Sequence, residues 1–304
     1  MSDNHEGHNH TLPSIDKINT AFYIGIGLNA LFTAIEFFVG YSTNSLALIA
    51  DASHNLSDVA SLIISLIGMR LAQKAATFLY TYGYKKASIL ASLINSILLI
   101  IIVIKIFIEG IERLNSPPEV AGSIIIITAL IGVLINTISA FLFYKGQKQD
   151  INIKGAFLHL IVDAVVSLGV VISGIIIYYT NWNIIDPIIS FIIGIVIIFS
   201  TWSLLKESVK LTLDGVPKDI NLRKIENLLL RNHFIEEVHH LHVWALSSSK
   251  NALTVHVILK KNVDTQEFLV AKNDIKQDLA HENIQHSTIE LDDMNRECKE
   301  IKCK

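Results

Sequence analysis

The stretch Ser45-Leu46-Ala47-Leu48-Ile49-Ala50-Asp51-Ala52-Ser53-His54-Asn55-Leu56-Ser57-Asp58 decides the fold. It opens an apolar run from about Leu46 to Leu71, long enough to cross a hydrocarbon core of ~30 Å as a helix, and it carries ionisable groups inside that run. His54 and Asp58 are four residues apart, so on a helix they share one face, one turn from each other. Asp51 lies seven residues before Asp58, nearly two turns, close to the same face. A second apolar run repeats the spacing as His159-Leu160-Ile161-Val162-Asp163. A carboxylate at membrane depth costs at least ~2.5 kcal/mol, so such groups mark a functional site by default.

Working outward, the composition agrees with a membrane protein. Of 304 residues, 51% are hydrophobic and only 17% charged, where soluble domains carry about 25% charged residues. The shortfall is confined to the first two thirds of the chain. Six spans are expected, at about Ile18–Val39, Leu46–Leu71, Ala87–Ile111, Val120–Tyr144, Ala156–Tyr179 and Ile185–Leu205. The first carries Asn29 and Glu36, and the third Lys105. Lys17, Arg70, Lys74, Lys85, Lys86, Lys145, Lys148, Lys154, Lys206 and Lys210 fall on one side of this arrangement and Arg113 on the other. The basic side is cytoplasmic, which puts both termini in the cytoplasm. The expected division is a His-containing tail at 1–14 with His5, His8 and His10, a six-helix membrane domain at 15–210, a cytosolic domain at 211–292 and a tail at 293–304. The polar start and long first run argue against a cleaved signal peptide. The net charge of -3 comes without a basic arm, so no nucleic-acid partner is expected.

From Leu213 the periodicity changes. Ile220–Asn232 and Thr265–His281 have helical spacing, while His239–Leu246, Ala252–Leu259 and Ser287–Leu291 read as strands. The order αββαβ folds as a small sheet with helices on one face.

Two imidazole nitrogens and two carboxylate oxygens form a complete tetrahedral set for Zn²⁺. Mg²⁺, Ca²⁺ and Mn²⁺ prefer oxygen shells, whereas cobalt and cadmium accept mixed ones. Interhelical hydrogen bonding among the four groups, or a structural zinc, are the plain alternatives. Two aspartates plus Zn²⁺ sum to zero charge, and without metal the same carboxylates are uncompensated in low dielectric. Protons relieve this, and a ligating imidazole must give up its proton to bind metal. Competition between metal and protons, combined with alternating access, gives metal/proton antiport. An intramembrane metalloenzyme would need an open metal position beside a general base, and four protein ligands leave none. A membrane-anchored divalent-metal sensor would have no use for ionisable groups at depth in two helices. No organic cofactor is expected.

The chain resembles the cation diffusion facilitator family. The resemblance covers nearly the whole chain and is carried by Ser45–Asp58, Thr81-Tyr82-Gly83-Tyr84, Gly155–Asp163 and Val238-His239-His240-Leu241-His242-Val243-Trp244. It implies six transmembrane helices, a homodimer, a ferredoxin-like cytosolic domain and proton-coupled export of zinc, cadmium or cobalt across a bacterial inner membrane. It also implies that His54, Asp58, His159 and Asp163 are the transport ligands. By similarity, His239, His256, His286 and Asp292 would hold a regulatory zinc, and Cys298 and Cys303 would contribute a tail site. His239 and His242, an odd step apart on a strand, face opposite sides unless a bulge intervenes. The sequence departs from the family pattern in two places. The loop from Ala72 to Tyr84 has no His or Asp, and Ser88 stands where many relatives have Glu.

Overall fold

A computed structural model of the chain describes residues 20–72, 74–144, 151–261 and 263–292. Its elements run α1 (Thr20–Ser42), α2 (Leu46–Ala72), α3 (Ala87–Asn115), α4 (Gly122–Phe143), α5 (Ile151–Thr180), α6 (Ile185–Thr212), α7 (Leu222–Leu230), β1 (Ile235–Ser247), β2 (Lys250–Leu259), α8 (Thr265–His281) and β3 (Ile284–Asp292). Two compact units result: 1–62 with 101–197, and 63–100 with 198–304. Among the described residues, four helices are long and apolar enough to cross a membrane: Ala87–Asn115, Gly122–Phe141, Phe157–Thr180 and Ile185–Thr212. In α2 the apolar character is diluted by Asp51, His54, Asn55 and Asp58.

In the first unit the outward faces are apolar. Ile101, Ile104, Ile108 and Ile111 of α3 and Ile124, Ile127, Ile131, Leu134 and Ile138 of α4 are exposed, at the three- and four-residue steps of a single helix face. This reverses the pattern of a soluble amphipathic helix and suits a lipid surround. Small residues let the helices approach. A Cβ on Gly122 of α4 would lie 2.8 Å from the Gly174 carbonyl of α5. Phe107 of α3 covers Gly194 of α6, Phe191 of α6 covers Gly110 of α3, and the two rings meet at 5.4 Å.

The start of α2 is held from another helix. Asp186, in the first turn of α6 and wholly buried, accepts from the Ser45 hydroxyl at 2.6 Å and the Leu46 amide at 2.6 Å. These are donors that a helix N-terminus leaves unsatisfied, and a carboxylate there also complements the helix dipole. The turns on either side use asparagine with positive φ, Asn44 at 55° and Asn181 at 52°, a conformation that asparagine tolerates better than most residues. The axial position of α2 is therefore fixed at the turn that precedes Asp51, His54 and Asp58.

The second unit contains a mixed three-stranded sheet in the order β1-β2-β3, with β1 and β2 antiparallel and β2 and β3 parallel. The parallel pair is joined through α8, as a crossover requires. Ile225 and Leu229 of α7, Phe268, Ile275 and Leu279 of α8, and Val243, Leu253, Val255, Val257 and Ile289 of the strands form one buried core. α8 has the expected bounds, Thr265–His281. β1 begins at Ile235, four residues earlier than the sequence suggests, because Glu236 and Glu237 mask the alternation. From the chain around 82–88, Lys86 pairs with Asp214, and the Ser248 amide donates to Ser88 Oγ at 3.2 Å. The charge contact of this region thus comes from Lys86, while Ser88 supplies a neutral hydrogen bond.

Candidate metal centre

α2 and α5 each present their His-x-x-x-Asp pair on one face, and the two faces meet. His54 Nε2 lies 2.9 Å from Asp163 Oδ1 and 4.0 Å from Asp58 Oδ2. His159 Nε2 lies 3.2 Å from Asp58 Oδ1 and 3.7 Å from Asp163 Oδ2. Each imidazole therefore stands between both carboxylates, and the two rings are 6.0 Å apart. Tetrahedral zinc with ligand bonds of 2.0–2.2 Å separates its donor atoms by ~3.4 Å, and these four distances bracket that value. One ligand atom from each of His54, Asp58 and Asp163 lies within 4.8 Å of the others, and His159, at the exposed edge, is not part of that mutually close set.

Exposure is graded along both helices. On α2, Asp51 is 1% and His54 5% exposed, and the Asp58 side chain rises to 24%. On α5, Ser167 is 0% and Asp163 3% exposed, and the His159 side chain rises to 49%. The cluster is sealed at one end and open at the other. The open end is a cavity of about 230 Å³ lined by Asn29, Asn55, Asp58, Asn136, His159 and Asp163. Asn136, on α4, had no signal in the sequence, since a lone amide in an apolar run belongs to no spacing motif. His159 lies eight residues into α5, because the helix begins at Ile151 and includes Lys154.

Glu36, on α1, is fully buried, and its Oε2 accepts from Asn55 Nδ2 at 2.9 Å. It therefore reaches the neighbouring helix that carries His54 and Asp58.

The strands assemble a second group. Asp292 Oδ2 accepts from His239 Nε2 at 2.8 Å and from His256 Nδ1 at 3.1 Å. His239 and His256 are cross-strand partners, and Glu290, opposite His256 on β3, approaches its Nε2 at 3.6 Å. Hydrogen bonds from His256 and then His239 hold the Asp292 carboxyl below the usual carboxylate range, against a desolvation effect of opposite sign. A bulge does intervene in β1. His239 faces His256 and His242 faces Thr254, with His240 at φ 48° in the extra position. Since residues 254 and 256 share a face, the bulge returns His239 and His242 to the same side. His286 is not brought to this group. It pairs with Ala252, six residues before Asp292, a separation of roughly 20 Å along the strand, and its ring meets Tyr82 edge-on at 5.4 Å. His5, His8, His10, Cys298 and Cys303 lie outside the described residues.

The cation efflux transmembrane domain matches residues 22–211, and the cytoplasmic domain of cation efflux proteins matches residues 217–294. The chain is 35% identical over 288 residues to the cadmium, cobalt and zinc/H(+)-K(+) antiporter of Bacillus subtilis (strain 168), covering 94% of this chain and 92% of that protein. It is 36% identical over 287 residues to the metal cation efflux system protein CzcD of Cupriavidus metallidurans, covering 94% and 90%. It is 32% identical over 289 residues to the zinc transporter ZitB of Escherichia coli (strain K12), covering 94% and 91%. A cation efflux transmembrane domain followed by a cytoplasmic domain accounts for nearly the whole chain, and the chain belongs to the cation diffusion facilitator family of metal exporters, which are transporters and not enzymes.

Proposed function

We propose that the chain exports zinc, and also cadmium or cobalt, from the cytoplasm in exchange for protons, by alternating access at His54, Asp58, His159 and Asp163. The observation that carries this reading is the approach of each of two imidazoles to both carboxylates, at 2.9 and 4.0 Å for His54 and at 3.2 and 3.7 Å for His159. Without metal, every carboxylate of the group faces an imidazole that can carry a proton. With Zn²⁺ bound, two aspartates neutralise the ion and both imidazoles must be neutral. The two states differ by protons exchanged for metal, which is the coupling.

The proposed arrangement has six spans, both termini in the cytoplasm of a bacterial inner membrane, the membrane domain at 15–210, a ferredoxin-like cytosolic domain at 211–292 and tails at 1–14 and 293–304. A homodimer is its natural state, since residues 217–294 match a cytoplasmic domain of cation efflux proteins that is named for dimerisation. In the cytosolic domain, His239, His256 and Asp292 fit a regulatory zinc. Their donors converge, and among the described residues His239 Nδ1 is buried without a hydrogen-bond partner. They supply three of four tetrahedral positions. His286 would join such a site only from elsewhere in an assembly, and Cys298 and Cys303 are further donors.

The test is zinc flux in proteoliposomes under an imposed pH gradient. Zinc should move opposite to protons and reverse direction when the gradient is reversed, and Asp163→Ala should abolish both fluxes. Undiminished gradient-driven flux in that variant would refute the assignment.

A further inference from the structure

Two apolar side chains between α2 and α3 stand clear of the protein. Phe78 is 107% and Leu79 88% exposed, the two most exposed large apolar residues among those described. They are adjacent in sequence and form the apex of a closed turn. The Thr77 amide donates to the Tyr80 carbonyl at 3.0 Å, and the Tyr80 amide donates to Thr77 Oγ1 at 3.1 Å. The base of the loop is closed as well. The Gly83 amide donates to the Tyr80 carbonyl at 2.8 Å. Gly83 has φ 71°, and a Cβ there would stand 3.4 Å from the Lys74 carbonyl, so the two arms of the loop touch. The Tyr80 and Tyr84 rings meet at 4.7 Å. The loop is thus built from its own contacts, and those contacts hold Phe78 and Leu79 outward.

Position and charge name what covers them. α3 is long and apolar enough to cross a membrane from Ala87 onward. Tyr84 stands three residues before that point, so the loop lies at the membrane surface. Tyrosine is enriched at that level, and Tyr80, Tyr82 and Tyr84 are all exposed. From 70 to 86 the sequence contains Arg70, Lys74, Lys85 and Lys86 and no Asp or Glu. Lys86 pairs with Asp214, so Arg70, Lys74 and Lys85 supply the charge that faces outward. An apolar tip flanked by cations matches an anionic bilayer. The tip enters the boundary between headgroups and acyl chains, and the cations meet phosphates. A second copy of the chain matches less well. A two-fold contact places one segment opposite itself, and here it would set like charges face to face.

We propose that Phe78 and Leu79, flanked by Arg70, Lys74 and Lys85, form a wedge that docks on the anionic headgroup surface of the bilayer. The other flank of the loop meets the sheet domain. The Tyr82 ring meets His286 of β3 edge-on at 5.4 Å, and Lys86 holds Asp214. The wedge therefore ties the sheet of the second unit to the membrane surface through Tyr82 and Lys86.

The test uses the full chain carrying Cys298→Ser and Cys303→Ser, with a nitroxide on Leu79→Cys and Phe78 retained. The protein is placed in liposomes of phosphatidylcholine and phosphatidylglycerol in equal parts. Collisions of the nitroxide with oxygen, which concentrates in lipid, are compared with collisions with a water-soluble nickel chelate. Oxygen contact should dominate. Omitting phosphatidylglycerol, or introducing Lys74→Glu with Lys85→Glu, should raise nickel contact at least ~5-fold, as attraction of the basic residues to the surface is lost. Nickel contact equal to that of a nitroxide on Glu226→Cys, on the exposed face of α7, would place the tip in water and overturn the wedge. Shielding from both reagents would mean that protein covers the tip, a second copy included, and would overturn it too. A tip equally deep with and without anionic lipid would overturn the assignment to an anionic surface.

Discussion

Two histidines meet carboxylates at two places in this chain, one on helices and one on strands, and the surroundings suit the two clusters to different duties. Between α2 and α5, His54 and Asp163 are sealed from solvent, at 5% and 3% exposure. A carboxylate so placed has no water to turn to, so it must be compensated in every state by metal, proton or imidazolium. On the sheet, His239, His256 and Asp292 are each about one fifth to one quarter exposed at the side chain. Solvent screens them, and they can stand without metal at little cost. Obligatory compensation suits an exchanger, and optional occupancy suits a sensor.

The largest effects should separate the clusters. Removing one helix-borne ligand, by His54→Ala or Asp163→Ala, should lower zinc flux at least ~100-fold, beyond the range seen when groups supporting a metal ligand are lost. His256→Ala should leave maximal flux within about twofold. Equal losses in both would erase the distinction. The helix-borne site also depends on how α2 is anchored. Asp186→Ala leaves the Ser45 hydroxyl and Leu46 amide without their acceptor in a buried place, so the detergent-solubilised protein should lose ~3 kcal/mol of stability, read as a lower melting temperature.

A smaller effect should appear only in regulation. His239→Ala should raise the zinc concentration for half-maximal flux by ~10-fold while the plateau stays unchanged, and a lower plateau would move this cluster into the transport path. The smallest effect concerns pH. The Asp292 carboxyl is held low by its histidine partners. It therefore contributes stability that is full above the unfolded carboxyl value of ~3.9 and is lost as pH falls through its lower folded value. Screening limits this to ~0.5 kcal/mol. Asp292→Asn should melt slightly earlier than the unaltered chain at pH 6, by a margin that shrinks as pH falls below ~3.9.

The helix-borne cluster was legible because helical periodicity converts spacing directly into a face. His54 with Asp58, and His159 with Asp163, each announce themselves within five residues, and the only missing fact was that the two faces meet. The sheet cluster was harder to read. Its members stand at 239, 256 and 292, and their meeting depends on strand register and on the bulge at His240, neither of which a period-two pattern encodes. The same limit explains His286, which belongs to the same strand as Asp292 yet lies six positions away. Asn136 and the pairing of Glu36 with Asn55 were also hidden, because isolated polar residues in apolar runs show their partners only once helices are packed. The helices themselves, and α8 to the residue, followed from hydrophobic period.

The central claim is that one zinc ion is held by two imidazoles and two carboxylates between α2 and α5. X-ray absorption of the zinc-loaded chain, carrying His256→Ala and Asp292→Ala to remove the sheet group, tests it most directly. The account predicts one tightly held zinc per chain with four nitrogen and oxygen neighbours at 2.0–2.2 Å, including the scattering signature of two imidazole rings, and loss of that zinc on adding Asp163→Ala. A six-coordinate all-oxygen shell, or zinc retained after Asp163→Ala, would contradict it.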